Sequence, residues 1–251
     1  MVDRLVYSVV YQLIQLDTYV RGLMAIGDNI LESGELEVLG RLVDASNASL
    51  LCKLPNGAQV IYKPIAGERP LWDFPDGNLA SREVAAFYVS DIGGFKVVPP
   101  TVMREGPFGP GAVQEWIETA EDLDVIEIAQ SSNEQIRNLA LFDIIINNAD
   151  RKFGHILVTP DNAIFGCDHG VSFHQENKLR TVIWQFADLK LTVEEIEKIE
   201  LLLSKLDAKH LSQYLNELEV SALFERANAL LATKKFAVPN PNWPAVPWPP
   251  Y

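Results

Sequence analysis

The chain changes character near its middle, and this change restricts the folds that it can adopt. Up to about residue 118, short apolar runs alternate with turns, as in LEVLGRLVDASNASLLCKL and AQVIYKP. These runs predict three strands, followed by one helix over SREVAAFYVSDIGG and two strands around a Gly/Pro turn. The second half carries longer runs with apolar residues at helical spacing. The pattern therefore predicts a small sheet with one helix, followed by a mainly helical part.

Two helix starts in the second half carry the same capping signature. Ser131 with Glu134, and Thr192 with Glu195, each place a hydroxyl residue three positions before a glutamate, as a capping box requires. The first box predicts the helix NEQIRNLALFDIIINN, and two more helices follow the second one through residue 232. The apolar face of the first helix is predicted to hold Leu139, Phe142, Ile145 and Ile146.

These elements predict three segments of chain. Residues 1–34 read as a helical N-terminal extension, residues 35–118 as a β-rich N-lobe and residues 119–251 as a helical C-lobe. The C-lobe ends in the tail VPNPNWPAVPWPPY, whose prolines exclude regular structure.

The net charge restricts the class of binding partner, and the cysteine content indicates the cellular compartment. The net charge of −13 argues against nucleic acid and against stable association with an anionic membrane, since both require a basic face. No apolar run is long enough to cross a bilayer, and VYSVVYQLIQL lacks the cleavage site of a signal peptide. The two cysteines lie far apart, which fits a reducing compartment. We therefore expect a cytoplasmic protein.

One segment concentrates the residues that can do chemistry: NNADRKFGHILVTPDNAIFGCDHGVSFH, residues 147–174. It contains three of the four histidines and one of the two cysteines. Asp150 and His155 lie in a predicted loop, which leads into the strands HILVT and AIFGCD. Asp168 ends the second strand and precedes His169 and Gly170.

Four charged residues occur in the order that phosphoryl transfer by a kinase requires. Kinases use a strand lysine, a helix glutamate that holds it, a catalytic aspartate and a later aspartate that binds metal. Lys63 ends a predicted strand, Glu83 lies in the next helix, and Asp150 and Asp168 follow. Glu68 is a competing partner for the lysine. Each residue alone also fits a solvated charge or a turn.

The position that departs from the kinase pattern is His155. In a kinase catalytic loop, the residue five positions after the aspartate is a metal-binding asparagine. Here Asp150 is followed at that distance by His155. An imidazole nitrogen suits Mn²⁺ better than Mg²⁺. Asp168 and His155 are thus the predicted metal ligands, although His155 could simply form a hydrogen bond within the loop.

At these loops the chain resembles a known family. NNADRKFGHIL and GCDHG are similar to the metal and catalytic loops of phosphatidylinositol 3- and 4-kinases. YKPIAGERPLWDFPDG, REVAAFYV, VVPPTV, GPFGPG and PWPPY look like an uncharacterised bacterial family related to these kinases. This resemblance covers most of residues 35–251. It implies an α+β, two-lobed, protein-kinase-like fold with a small antiparallel N-lobe sheet and one helix, and a mainly helical C-lobe. It also implies ATP, with Mg²⁺ or Mn²⁺, as cofactors.

The resemblance suggests roles for further residues. Ser46, Asn47 and Ser49 could hold the phosphates in place of a glycine-rich loop, and the backbone of Glu115–Ile117 could border the adenine, together with Trp116. A polar hairpin turn and ordinary core packing explain the same residues equally well.

The catalytic roles follow the kinase pattern. Lys63, held by Glu83, would contact the phosphates. Asp150 would orient or deprotonate the acceptor hydroxyl, and Arg151 or Lys152 would neutralise the charge that develops.

Several functions remain open. The leading prediction is an ATP-dependent phosphotransferase whose acceptor is a protein or a small molecule, because only Lys178 and Arg180 follow Asp168 as candidates to hold a lipid headgroup. One alternative is a nucleotide-binding pseudokinase with a scaffold or regulatory role, and another is an adenylyl transferase on the same fold. A metal hydrolase would use Asp150, His155, Asp168 and His169.

Overall fold

The computed structural model describes residues 30–42, 47–75 and 77–251. Most of the predicted N-terminal extension, residues 1–29, lies outside this part of the chain. Residues 30–33 are helical, and Leu31 packs with Leu36 into the core of the N-lobe sheet. The predicted segment boundaries at residues 34 and 118 stay a prediction.

The N-lobe is a five-stranded antiparallel sheet in the order β1-β2-β3-β5-β4. Its core includes the fully buried Cys52, Val60, Tyr62 and Val113. The strands are β1 Glu37–Arg41, β2 Leu50–Lys53, β3 Gln59–Pro64, β4 Thr101–Gly106 and β5 Gly109–Glu115. The predicted strands and their order along the chain are confirmed.

The single N-lobe helix is α1, Leu79–Ile92, between β3 and β4 along the chain. The first amides of a helix have no partner within it. Here the Asn78 side chain accepts a hydrogen bond from the amide of Ser81, and the Glu68 carboxylate accepts from the amides of Leu79 and Ala80. These caps fix the start of α1 and leave Glu68 engaged there.

The C-lobe is mainly helical. Its elements are α2 Val125–Gln130, α3 Glu134–Ile146, β6 Ile156–Val158, β7 Ile164–Gly166, α4 Val193–Lys205, α5 Ala208–Leu211 and α6 Glu217–Thr233. Helix α3 runs through its core, and the predicted apolar face of this helix is confirmed as fully buried. Strands β6 and β7 pair as an antiparallel hairpin.

Two C-lobe helices begin with reciprocal capping boxes. The box predicted at Thr192 and Glu195 is confirmed at the start of α4, with distances of 2.8 and 3.2 Å. A second box, formed by Asn216 and Glu219, opens α6. In both boxes the glutamate side chain accepts from the backbone amide of the capping residue.

The capping box predicted at Ser131 and Glu134 is wrong. The Ser131 hydroxyl donates to the carbonyl of Ile128, because Ser131 ends the short helix α2, which sequence analysis did not predict. Asn133 caps α3 instead, and its side chain accepts from the amide of Gln135.

The proline-rich tail has no regular structure, as predicted, but it is docked on the C-lobe. The carbonyl of Ala245 accepts from the amide of Thr181 and the indole of Trp184, and that of Pro250 accepts from the amide of Phe153. None of the described helices is both long and apolar enough to cross a membrane.

Candidate functional site

The first part of the site is a lysine held between two carboxylates. Lys63, near the end of β3, places its Nζ 2.6 Å from Oε1 of Glu83 on α1 and 2.5 Å from Oδ1 of Asp168 after β7. The fold thus brings together three residues that sequence analysis selected. Glu68, the competing partner, is used at the start of α1 instead.

These contacts fix the charge of the group. Burial alone would lower the pKa of Lys63, but Asp168 and Glu83 attract the ammonium and raise the pKa above its ordinary value. The Lys63 ammonium in turn holds the pKa of Asp168 well below its usual range, against the opposing effect of burial. Both residues are therefore charged at neutral pH. The Asp168 side chain is 48% exposed and can still accept a ligand.

The backbone around Asp168 is set by its neighbours. Asp168 has a φ of 55°, in the left-handed region, which aspartate tolerates better than most residues. The amide of His169 donates to Oε2 of Glu83 at 3.1 Å, and Arg151 donates to the carbonyl of Cys167 at 2.9 Å. The Asp168 carboxylate is thereby directed towards Lys63.

The second part of the site is the loop after α3. Asn147 ends the helix in a left-handed conformation, and the Asn148 side chain accepts from the amide of Asp150 at 3.0 Å. The Asp150 carboxylate lies 3.2 Å from Nζ of Lys152. This loop returns to the hairpin through His155, whose Nδ1 lies 2.9 Å from the carbonyl oxygen of Asp150.

His155 is arranged as a potential metal ligand. Its Nδ1 faces a carbonyl oxygen, which can only accept, so Nδ1 carries the proton. Burial lowers the pKa of His155, although Asp168 opposes this effect, and the imidazole is neutral at pH 7. The lone pair of Nε2 therefore faces Oδ2 of Asp168 at 3.5 Å. Two atoms with free lone pairs at this distance can both coordinate one cation.

A cavity of about 120 Å³ connects these groups across the two lobes. The residues named from the sequence that line it are Asn47, Ser49, Lys63, Glu68, Glu83, Asp150, Lys152, His155 and Asp168. Within the described ranges, no three His, Cys, Asp or Glu side chains form a metal-binding group.

Several selected residues do not line this cavity. Ser46 lies outside the described residues. Glu115 ends β5, Trp116 and Ile117 follow it, and none of the three is part of the lining. Asn47 lines the cavity, but its side chain also accepts from the amide of Arg69, so it anchors its own loop.

Arg151 is not brought to the cleft. Its side chain is fully buried, and its Nε and Nη2 each lie 2.9 Å from a carboxylate oxygen of Asp143 on α3. It also donates to the carbonyl oxygens of His155 and Cys167, at 3.0 and 2.9 Å. Arg151 therefore braces the two loops from behind, and Lys152 is the cation beside Asp150.

Two buried residues lie behind the site: His169, which sequence analysis named only as a ligand of a metal hydrolase, and Asp143, which it missed. His169 is fully buried, and its Nε2 lies 2.8 Å from Nη2 of Arg151, which can only donate. Asp143 is equally buried. One signal was available: Asp143 interrupts the run LALFDIII, where a carboxylate needs a buried cation as its partner.

Glu115 leads to a prediction about pH. Burial raises its pKa to about 7, above the value of about 4.3 in an unfolded chain. Its contribution to folding is thus full at low pH and is lost as pH rises through 7. We expect Glu115→Gln to flatten the decline in the free energy of unfolding between pH 4 and 7 by about 1–2 kcal/mol, allowing for partial exposure. Urea unfolding at several pH values measures this, with the exposed Glu118→Gln as control. Equal slopes of the free energy of unfolding against pH in Glu115→Gln and Glu118→Gln would contradict this prediction.

The chain is similar in sequence to a known protein. "Protein Rv2133c" of Mycobacterium tuberculosis is 37% identical over 261 aligned positions, which cover 88% of this chain and 94% of that protein. No family model matches the chain.

Three solved structures of kinases share the fold. The Golgi casein kinase with Mn and ADP bound gives a TM-score of 0.55 at 14% identity, covering 82% of this chain and 74% of its own. Another structure of the Golgi casein kinase gives 0.51 at 13% identity, covering 82% and 72%. The Helicobacter pylori proinflammatory kinase CtkA gives 0.50 at 10% identity, covering 82% and 94%. The predicted kinase-like fold is confirmed, and the relation to phosphatidylinositol kinases stays a prediction.

Proposed function

The chain belongs to the family of Protein Rv2133c of Mycobacterium tuberculosis, and we propose that it is an ATP-dependent phosphotransferase that uses a divalent metal. The observation that carries the proposal is the meeting of Lys63, Glu83 and Asp168 in one cavity with Asp150. Phosphoryl transfer needs mainly positioning and positive charge. Lys63 would supply one positive charge, and the Asp168 carboxylate would help to hold a metal that supplies more.

Lys63 would contact the phosphates of the nucleotide. Its ammonium is charged, only partly exposed and held from one side by Glu83, so it needs little reorganisation to receive an anion. In the structure it also contacts Asp168, and a phosphate would compete for this second contact.

Asp168 and His155 would hold the metal. One carboxylate oxygen and one imidazole nitrogen, 3.5 Å apart, leave the remaining positions to phosphate oxygens and water. When bound, a divalent ion would supply positive charge that neutralises the phosphates. The nitrogen ligand favours Mn²⁺ relative to a site built from oxygen alone.

Asp150 would orient the acceptor hydroxyl or accept its proton. Its carboxylate lines the cavity, and Lys152 at 3.2 Å can offset the charge that develops during transfer. Because Arg151 is buried against Asp143, we assign this electrostatic role to Lys152 alone.

The acceptor is proposed to be a protein or a small molecule. Lys178 and Arg180, the candidates for a lipid headgroup, are turned inward: Lys178 Nζ donates to the carbonyl of Asp73, and Arg180 Nε to that of Ala149. Together with the net charge of −13, this supports an acceptor away from the membrane. The two free cysteines support a cytoplasmic location.

His155 gives a second candidate function some support. A kinase that has exchanged its metal-binding asparagine could bind nucleotide without turnover and serve as a scaffold. An adenylyl transferase would instead bind ATP in the reverse direction. The metal hydrolase is less favoured, because His169 faces Arg151 inside the lobe.

Calorimetric titration of ATP with Mg²⁺, with Mn²⁺ and with EDTA tests the proposal. We expect binding only when metal is present, stronger with Mn²⁺, together with slow release of ADP in a coupled assay. Metal-independent binding without turnover would favour the pseudokinase, and AMP attached to an acceptor would favour adenylyl transfer. Absence of binding under every condition would refute a nucleotide site.

A further inference from the structure

The helix that carries Glu83 is attached to the C-lobe by a buried ion pair. Arg82, the preceding residue on α1, places its Nη2 2.6 Å and its Nε 3.2 Å from Oε1 of Glu219 on α6. The two residues are only 2% and 4% exposed, respectively. A pair so well buried resists opening, because each charge would be left in the interior without its partner.

Glu219 has two roles at once. Its Oε1 receives Arg82, while its Oε2 accepts from the backbone amide of Asn216 and completes the capping box of α6. The carboxylate is therefore fixed by its own helix, and α6 provides a firm anchor for α1.

Two further contacts join α1 to the loop after β7. A side chain at Gly170 would place its Cβ 2.9 Å from Cβ of Leu79, so the start of α1 rests directly on this loop. The amide of His169 donates to Oε2 of Glu83. The first turns of α1 thus contact the C-lobe at three points, including Arg82.

This attachment determines where Lys63 lies. Arg82 and Glu83 are adjacent on a helix, so the Cα of Glu83 cannot shift while Arg82 stays bound. Oε1 of Glu83 in turn lies 2.6 Å from Nζ of Lys63. The position of Lys63 therefore depends, through Glu83, on the attachment of α1 to the C-lobe.

We propose that Arg82 and Glu219 are positioning residues, which clamp α1 on the C-lobe so that Glu83 holds Lys63 ready for the phosphates without a helix movement. The inference rests on the proposed function and deepens it. It predicts that an interaction far from the phosphates controls nucleotide affinity.

A matched pair of variants tests the clamp. Glu219→Gln removes the charge that binds Arg82, and glutamine still serves as the third residue of a capping box. Glu195→Gln makes the same change in the box of α4, where the glutamate pairs with Arg137 at 2.6 Å. Both variants lose one carboxylate from a capped C-lobe helix, and only Glu219 contacts α1.

Two readouts separate positioning from simple loss of stability. We expect Glu219→Gln to weaken ATP binding with Mn²⁺ by about 10-fold in calorimetry, whereas Glu195→Gln stays within about 2-fold of the wild type. We also expect faster amide hydrogen exchange over residues 79–92 in Glu219→Gln alone, which is measured without nucleotide. Arg82→Lys keeps the positive charge but loses the two-nitrogen contact of the guanidinium with Glu219. Its ATP affinity and its amide exchange over residues 79–92 should lie between those of the wild type and Glu219→Gln.

The outcomes distinguish the clamp from the proposed function. Equal ATP affinity in the two glutamine variants, or equal exchange of α1, would overturn the clamp. If the wild type binds no nucleotide, the phosphotransferase proposal fails, and unequal exchange of α1 would still support the attachment itself. If Glu219→Gln does not fold, Arg82→Lys is compared with Arg137→Lys in the same two measurements.

Discussion

Asp168→Asn is expected to abolish metal-dependent ATP binding while leaving the protein folded. The change removes one negative charge and keeps the shape of the side chain, so the loss reports on charge alone. Lys63 retains Glu83 at 2.6 Å, and its ammonium is not left without a partner. Loss of residues that only support a metal ligand costs 10–100-fold in affinity, and we expect roughly 100-fold or more for the ligand itself.

The measurement is ATP titration by calorimetry with Mg²⁺, Mn²⁺ and EDTA on both proteins. Asp161→Asn serves as the control, because Asp161 is an exposed aspartate in the turn of the same hairpin, outside the cavity. We expect the control to bind as the wild type does. Wild-type affinity in Asp168→Asn, with Mn²⁺ present, would show that this carboxylate holds no metal.

Much of the site could be predicted because each residue has a local signal. Lys63 ends an alternating strand, Glu83 lies in a capped helix, and Asp150 and Asp168 each follow a regular element. Their order along the chain is then enough to suggest the chemistry. Their distances are not predictable in this way, since Lys63 and Asp168 are 105 residues apart.

The residues that sequence analysis missed or misplaced depend on packing that the sequence does not display. Arg82 and Glu219 are 137 residues apart, and each taken alone looks like a solvated charge on a helix. Arg151 adjoins Asp150, which suggested catalysis, yet it turns inward because a buried carboxylate on α3 requires a cation. Ser131 was assigned to the wrong helix end, because six-residue α2 is too short to show a period.

Breaking the buried pair of Arg151 and Asp143 is expected to destabilise the fold more than any surface change. Asp143→Asn would leave the guanidinium without its counter-charge in a site with no access to water, at a cost of about 3–5 kcal/mol. Arg151→Met should cost a similar amount, because it leaves the buried Asp143 carboxylate without its counter-charge, with only the Asn148 side chain, among the described residues, as a hydrogen-bond donor. The double variant Asp143→Asn with Arg151→Met removes both charges and should lose less stability than the two single changes added together.

Urea unfolding of the four proteins measures these free energies. Asp188→Asn is the control, since Asp188 pairs at 2.7 Å with Lys235 on the surface and should cost less than about 1 kcal/mol. A cost for Asp143→Asn no larger than that of this control would show that the buried pair does not stabilise the fold. Arg151 also donates to the carbonyls of His155 and Cys167, next to the proposed metal-binding residues. We therefore expect Asp143→Asn to weaken metal-dependent ATP binding even where the protein remains folded.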